Sequence, residues 1–69
     1  MYRYKIKLTL GSEVFESIWI EAEKEEYEAD RVQAMNIGDI KSFTFPTETG
    51  FMTFPEGLLQ KSHIEFIND

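Results

Sequence analysis

Sixty-nine residues with thirteen acids, seven bases and no cysteine allow one small domain and exclude both disulfides and a cysteine zinc site. A chain of this length buries only about 60% of the surface it exposes when unfolded, so its stability is marginal without a partner or a metal. The 42% hydrophobic content excludes a disordered tail, and the net charge of −6 sets a repulsive field toward phosphate.

The acids cluster between Glu13 and Asp30, where Lys24 is the only base. No run approaches the roughly 20 apolar residues that a membrane-spanning helix needs. The start, Met1 to Lys7, is basic but alternates instead of forming a continuous apolar run, and no small-residue cleavage site follows. The expected location is cytoplasmic, with no membrane association and a single β domain over residues 1–69.

Tyr2 to Leu10 alternates apolar and polar residues, the period-two signature of a half-buried strand. Gly11-Ser12 fits a two-residue type II′ turn, and Glu13 to Ile20 is rich in β-branched and aromatic residues. A tight hairpin would set opposite one another those residues whose numbers sum to 23: Leu8 with Phe15, Lys7 with Glu16, Lys5 with Ile18, Tyr4 with Trp19. One face would carry Tyr4, Ile6, Leu8, Phe15 and Trp19. The other would carry Arg3, Lys5 and Lys7 beside Val14, Ile18 and Ile20. The second strand is then apolar on both faces, so Val14, Ile18 and Ile20 are expected to meet another sheet or subunit of a homo-oligomer. The alternative is that the long lysine and arginine stems cover them.

Residues 22–35 read two ways. Their glutamate, alanine, lysine, glutamine and methionine content favours helix, with Asn36-Ile37-Gly38-Asp39 as its terminating turn. On a helix Ala22, Ala29, Val32 and Met35 share a face that Glu25 and Glu26 interrupt; on a strand Tyr27, Ala29 and Met35 share one with Arg31 and Gln33. Periodicity leaves strand and short helix both open.

Strand signals return at Ile40 to Phe45 and Phe51 to Phe54, on either side of a five-residue loop from Pro46 to Gly50. After the break at Pro55-Glu56-Gly57, Ser62 to Ile67 alternates as a last strand. The expected class is all-β: a small antiparallel sandwich or barrel of five to seven strands.

The order Gly38-Asp39-Ile40, Phe45, Thr47-Glu48-Thr49 and then Phe54-Pro55-Glu56-Gly57-Leu58-Leu59-Gln60 resembles the trp RNA-binding attenuation protein (TRAP) family. That family has a glycine-acid-aliphatic step, a threonine-rich turn, and a strand leading into a Gly-Glu-Ala-Leu-Ile-Gln segment. The resemblance covers roughly residues 5–67 and implies subunits joined edge to edge in a ring, with Tyr27 to Met35 a strand. It also implies a small-ligand site at the threonine-rich turn, where Thr47 and Thr49 keep hydroxyls, although the family's histidine in that turn has no counterpart. The family's RNA-contacting lysine-x-arginine pair falls on Met52 and Phe54, and its further lysine falls near Ala34. With all three charges missing, RNA binding in the family's mode is disfavoured.

Catalysis has little foundation in the sequence. His63 is the only histidine, and no Gly-x-Ser-x-Gly elbow brings Ser12, Ser17, Ser42 or Ser62 to it. The acids from Glu21 to Asp30 lack the glycine and ligand spacing of a calcium loop, and the four glycines stand alone at 11, 38, 50 and 57. No enzyme activity, cofactor or metal is expected. Phe43, Phe45, Phe51, Phe54 and Trp19 could form a base-stacking platform, but so small a domain needs them as core. The expected function is therefore a non-catalytic oligomeric β module that binds a protein or small ligand, the alternative being a TRAP-like RNA-binding regulator.

Overall fold

The computed structural model describes residues 1–36 and 39–69. Among them the order is β1 (Tyr2–Leu10), β2 (Glu13–Glu16), β3 (Ile20–Ala22), α1 (Lys24–Met35), β4 (Ser42–Thr47), β5 (Gly50–Pro55), α2 (Glu56–Leu59) and β6 (Ser62–Asn68). The chain is mostly β, and its sheets are antiparallel. Of the expected turn after α1, Ile37 and Gly38 lie outside the described residues, and Gly38 also belongs to the glycine-acid-aliphatic step.

β1 is the central strand of its sheet. One edge of β1 pairs with β2 and then β3, and the other pairs with β6 from Tyr4↔Asn68 to Leu10↔Ser62. Gly11 alone in the first turn has positive φ, at 63°, which a type II′ turn requires of its first residue. The expected register holds through Lys7↔Glu16 and Leu8↔Phe15. Beyond it the sum changes from 23 to 24, since Tyr4 faces Ile20 and not Trp19.

The cause is a β-bulge. Between the Ile6–Ser17 bond and the Tyr4↔Ile20 pair, Ile18 and Trp19 both lie opposite Lys5, so one strand carries an extra residue. Expectation and structure therefore part at two residues. Ile20, expected on the outer face, is half-buried against the core, whereas Trp19, expected in the core, is 37% exposed.

Ser17 makes the bulge tolerable. Its N–H donates to the Ile6 carbonyl at 2.8 Å, and its hydroxyl accepts the Ile6 N–H at 2.8 Å while donating to the Ile18 carbonyl. The displaced Ile18 N–H crosses to the second sheet and donates to the Pro46 carbonyl at 3.1 Å. Ser17→Ala should leave the buried Ile6 N–H without a partner and cost about 1–3 kcal/mol, read as a shift of the urea midpoint with an unchanged m-value. A cost below about 0.5 kcal/mol would mean that water replaces the hydroxyl.

The second sheet is the β4–β5 hairpin. Its ladder runs from Ser42↔Pro55 to Thr47↔Gly50, so the loop is Glu48-Thr49 alone and not the five residues expected. Gly50, with φ at 143°, takes the backbone region that permits this tight connection. Phe43, Phe45 and Phe54 face inward and join Tyr4, Ile6, Leu8 and Leu59 in one core. The aromatic rings of the two sheets meet where Phe15 lies edge-on to Phe54, with centroids 5.3 Å apart.

Residues 24–35 form a helix, the reading that propensity favours, and not the strand that the resemblance implies. Only Tyr27 of α1 is buried. It sits edge-on between Tyr2 and Tyr4, each centroid 4.8 Å away, and its hydroxyl donates to Asn68 Oδ1 at 3.0 Å. The Tyr4 hydroxyl donates to Asp30 Oδ2 at 2.6 Å, and burial, then this bond, push its pKa up from the ordinary 10.0.

Candidate functional site

The bulge decides what the outer face of the β1 sheet presents. Odd-numbered β1 residues point outward, which puts Arg3, Lys5 and Lys7 in a row, and the extra residue in the neighbouring strand turns Trp19 toward them. The Arg3 guanidinium carbon lies 5.1 Å from the Trp19 ring centroid, and Lys5 Nζ lies 5.2 Å from it. These are cation–π distances, worth about 0.5–1 kcal/mol at an exposed site. Val14 at 50% and Ile18 at 40% exposure extend the apolar surface.

Carboxylates balance the cations. Lys5 Nζ lies 2.8 Å from Glu16 Oε1 and holds that carboxyl below its ordinary pKa, chiefly through the hydrogen bond. Arg3 Nε lies 3.5 Å from Asp69. Lys7 stands between Glu16 and Glu65 in the ladders. The face is thus a mixed surface, not a basic one.

Thr47 and Thr49 come to this face from the β4–β5 turn. With Val14, Ile18, Trp19 and Lys5 they line an open cleft of about 660 Å³. The structure so brings together Val14, Ile18, Thr47 and Thr49 and separates Ile20 from them. Of the positions that align with the family's RNA contacts, Phe54 is in the core, Met52 is half-buried at the edge of this cleft, and Ala34 lies on α1, lining a different one. No shared surface results.

His63 is exposed, with Nε2 3.6 Å from Glu65 Oε1. The Ser17 and Ser62 hydroxyls donate to the carbonyls of Ile18 and Leu58. Among the described residues no group of three or more histidine or acidic side chains converges as a metal site would require. No helix among them is long and apolar enough to cross a membrane.

Trp19 is the site residue that sequence reasoning misplaced. Ser17-Ile18-Trp19-Ile20 has three bulky residues in succession, so alternation carries no phase there, and only the serine, able to cap a ladder with its hydroxyl, marks where a bulge falls. Comparison with known proteins adds no assignment to this geometry: no protein-family model, no curated protein and no solved structure matches the chain.

Proposed function

We propose that this chain is a non-catalytic, oligomeric β module of the cytoplasm that binds a protein or small ligand through the outer face of its β1 sheet. One observation carries the reading: Val14, Ile18 and Trp19 stand exposed side by side, at 50%, 40% and 37%, on a chain with little apolar surface to spare from its core. The threonine pair at the rim adds hydroxyl donors and acceptors suited to orienting a ligand in a cleft where Val14, Ile18 and Trp19 stand beside Lys5, Glu16 and Glu48.

Native mass spectrometry at micromolar concentration tests it together with Ile18→Asp. Ile18 is open to solvent in the single chain, so the substitution should change monomer stability by only about 0.5 kcal/mol. An assembled face would bury that carboxylate unpaired, and the mass distribution should collapse to the monomer. A wild-type chain that is monomeric under these conditions would sink the reading.

The exposed Trp19 ring between two cations favours one second reading, a TRAP-like sandwich or barrel that regulates through RNA. Base stacking on Trp19 would have to displace Arg3 and Lys5, which carboxylates already engage, in a molecule of charge −6. Binding to an RNA pool should therefore be weak and fall steeply between low and moderate salt. Replacing Arg3, Lys5 and Lys7 with glutamine should abolish it. Submicromolar binding at about 150 mM salt that survives this triple substitution would restore an RNA site elsewhere on the chain.

A further inference from the structure

We propose that the free edge of β6 pairs antiparallel with β6 of a second copy, in the register that sets His63 opposite Glu65 of the partner subunit. The proposal rests on the oligomeric reading above but places a contact on a different surface, the edge of the sheet.

The backbone directions follow from one hydrogen bond and the β1–β6 register. Asp69 N–H donates to the Arg3 carbonyl, so the odd residues of β6, namely His63, Glu65 and Ile67, turn their amides and carbonyls toward β1. The N–H and C=O groups of Ser62, Ile64, Phe66 and Asn68 therefore point away from β1. Among the described residues β6 pairs only with β1, and the seven-residue strand has no proline, no lysine, no glycine and no inward-pointing charge to blunt its edge; Glu65 is its one charged side chain.

The occupant and its register follow from which residues can meet. An antiparallel copy must set outward-pointing backbone groups against outward-pointing ones, so its two-fold axis passes through Ile64, Glu65 or Phe66 if overlap is to be long. An axis at Glu65 opposes two carboxylates, and one at Phe66 sets Glu65 against Ile67 and Ile64 against Asn68. The axis at Ile64 alone sets a hydrogen-bonding side chain against each carboxylate, in two His63–Glu65 pairs between the copies at the closer non-hydrogen-bonded positions. It also fills space. Ile64 and Phe66 of the partner subunit would point to the inner side of the extended sheet, into an open cleft of about 390 Å³ beside β6 that Ala34, Met35, Ile64 and Phe66 line together with Arg31 and Asn68. Met35 is 77% exposed there, available as a roof.

Because the chain has no cysteine, cross-linking reads the register directly. His63→Cys and Glu65→Cys replace exposed outer-face side chains, so both variants should fold. Opposed non-hydrogen-bonded residues have Cα atoms about 4.5 Å apart, within disulfide reach. Under a glutathione redox buffer the mixture of the two variants should lose most of its free thiol to a disulfide-linked mixed dimer, while each variant alone stays reduced. Self-cross-linking of Glu65→Cys or of His63→Cys alone would overturn the register. No cross-link in any combination, with the wild type oligomeric by native mass spectrometry, would overturn the edge contact and leave the sheet-face reading standing. A monomeric wild type would overturn both.

Discussion

Leu8→Ala is expected to remove most or all of this chain's stability. Leu8 has no exposed surface, sits on the central strand, and is flanked by Phe15 on one side and Ile64 on the other. Truncating a buried leucine costs about 2–5 kcal/mol, because the lost transfer energy is joined by a cavity that the neighbours fill only in part. A domain of this size holds roughly 0.05–0.15 kcal/mol per residue, a total of the same order as the loss. Little collapse is available, since Leu8 lies within ladders on both edges. Urea denaturation followed by tryptophan fluorescence should show no folded baseline, or a midpoint close to zero denaturant. Val14→Ala, on the half-exposed outer face of the same hairpin, should stay within about 0.5 kcal/mol of the parent when monomeric. A Leu8→Ala cost as small as that would mean the two sheets do not share a core.

How far the sequence shows this fold depends on how many constraints act at each point. Tyr2 to Leu10 is legible because alternation, turn glycine and partner strand agree, and the agreement carries through Lys7↔Glu16. The next residues are not, because Ser17 supplies with its hydroxyl the hydrogen bond that a regular ladder would supply with its backbone. A side chain has taken over a backbone task, and no periodicity records that. Residues 24–35 resisted for another reason. α1 docks through one aromatic residue, so it has no stripe for a pattern to reveal, and propensity alone points to it. At the candidate site, Val14 and Ile18 are legible as surplus apolar residues. The nearness of Thr47 and Thr49 to them depends on how the two sheets meet, which the hydrogen bond from Ile18 to Pro46 fixes and no local signal announces.

That single anchor of α1 leads to the last expected result: Tyr27→Ala should release the helix while the β1 sheet stays paired. α1 has twelve residues, no side-chain cap at Glu23 and no basic residue in its last turn, and isolated helices of this length are marginal in water. Its stability must come from docking. Docking consists of the Tyr27 ring among Tyr2, Tyr4 and Phe66, the Tyr27 bond to Asn68, and the Tyr4 bond to Asp30. Removing a buried aromatic ring costs about 3–5 kcal/mol. Tyr27→Phe keeps the ring and loses only the Asn68 bond, about 1 kcal/mol. Because β1 pairs with β2, β3 and β6 without help from α1, the loss should be local before it is global. Amide exchange should then be fast across Glu28–Met35 in Tyr27→Ala, near the parent rate there in Tyr27→Phe, and still protected in β1 of both. If α1 amides in Tyr27→Ala kept the parent's protection, contacts other than this tyrosine would hold the helix. If β1 lost protection together with α1, helix and sheet would form a single cooperative unit.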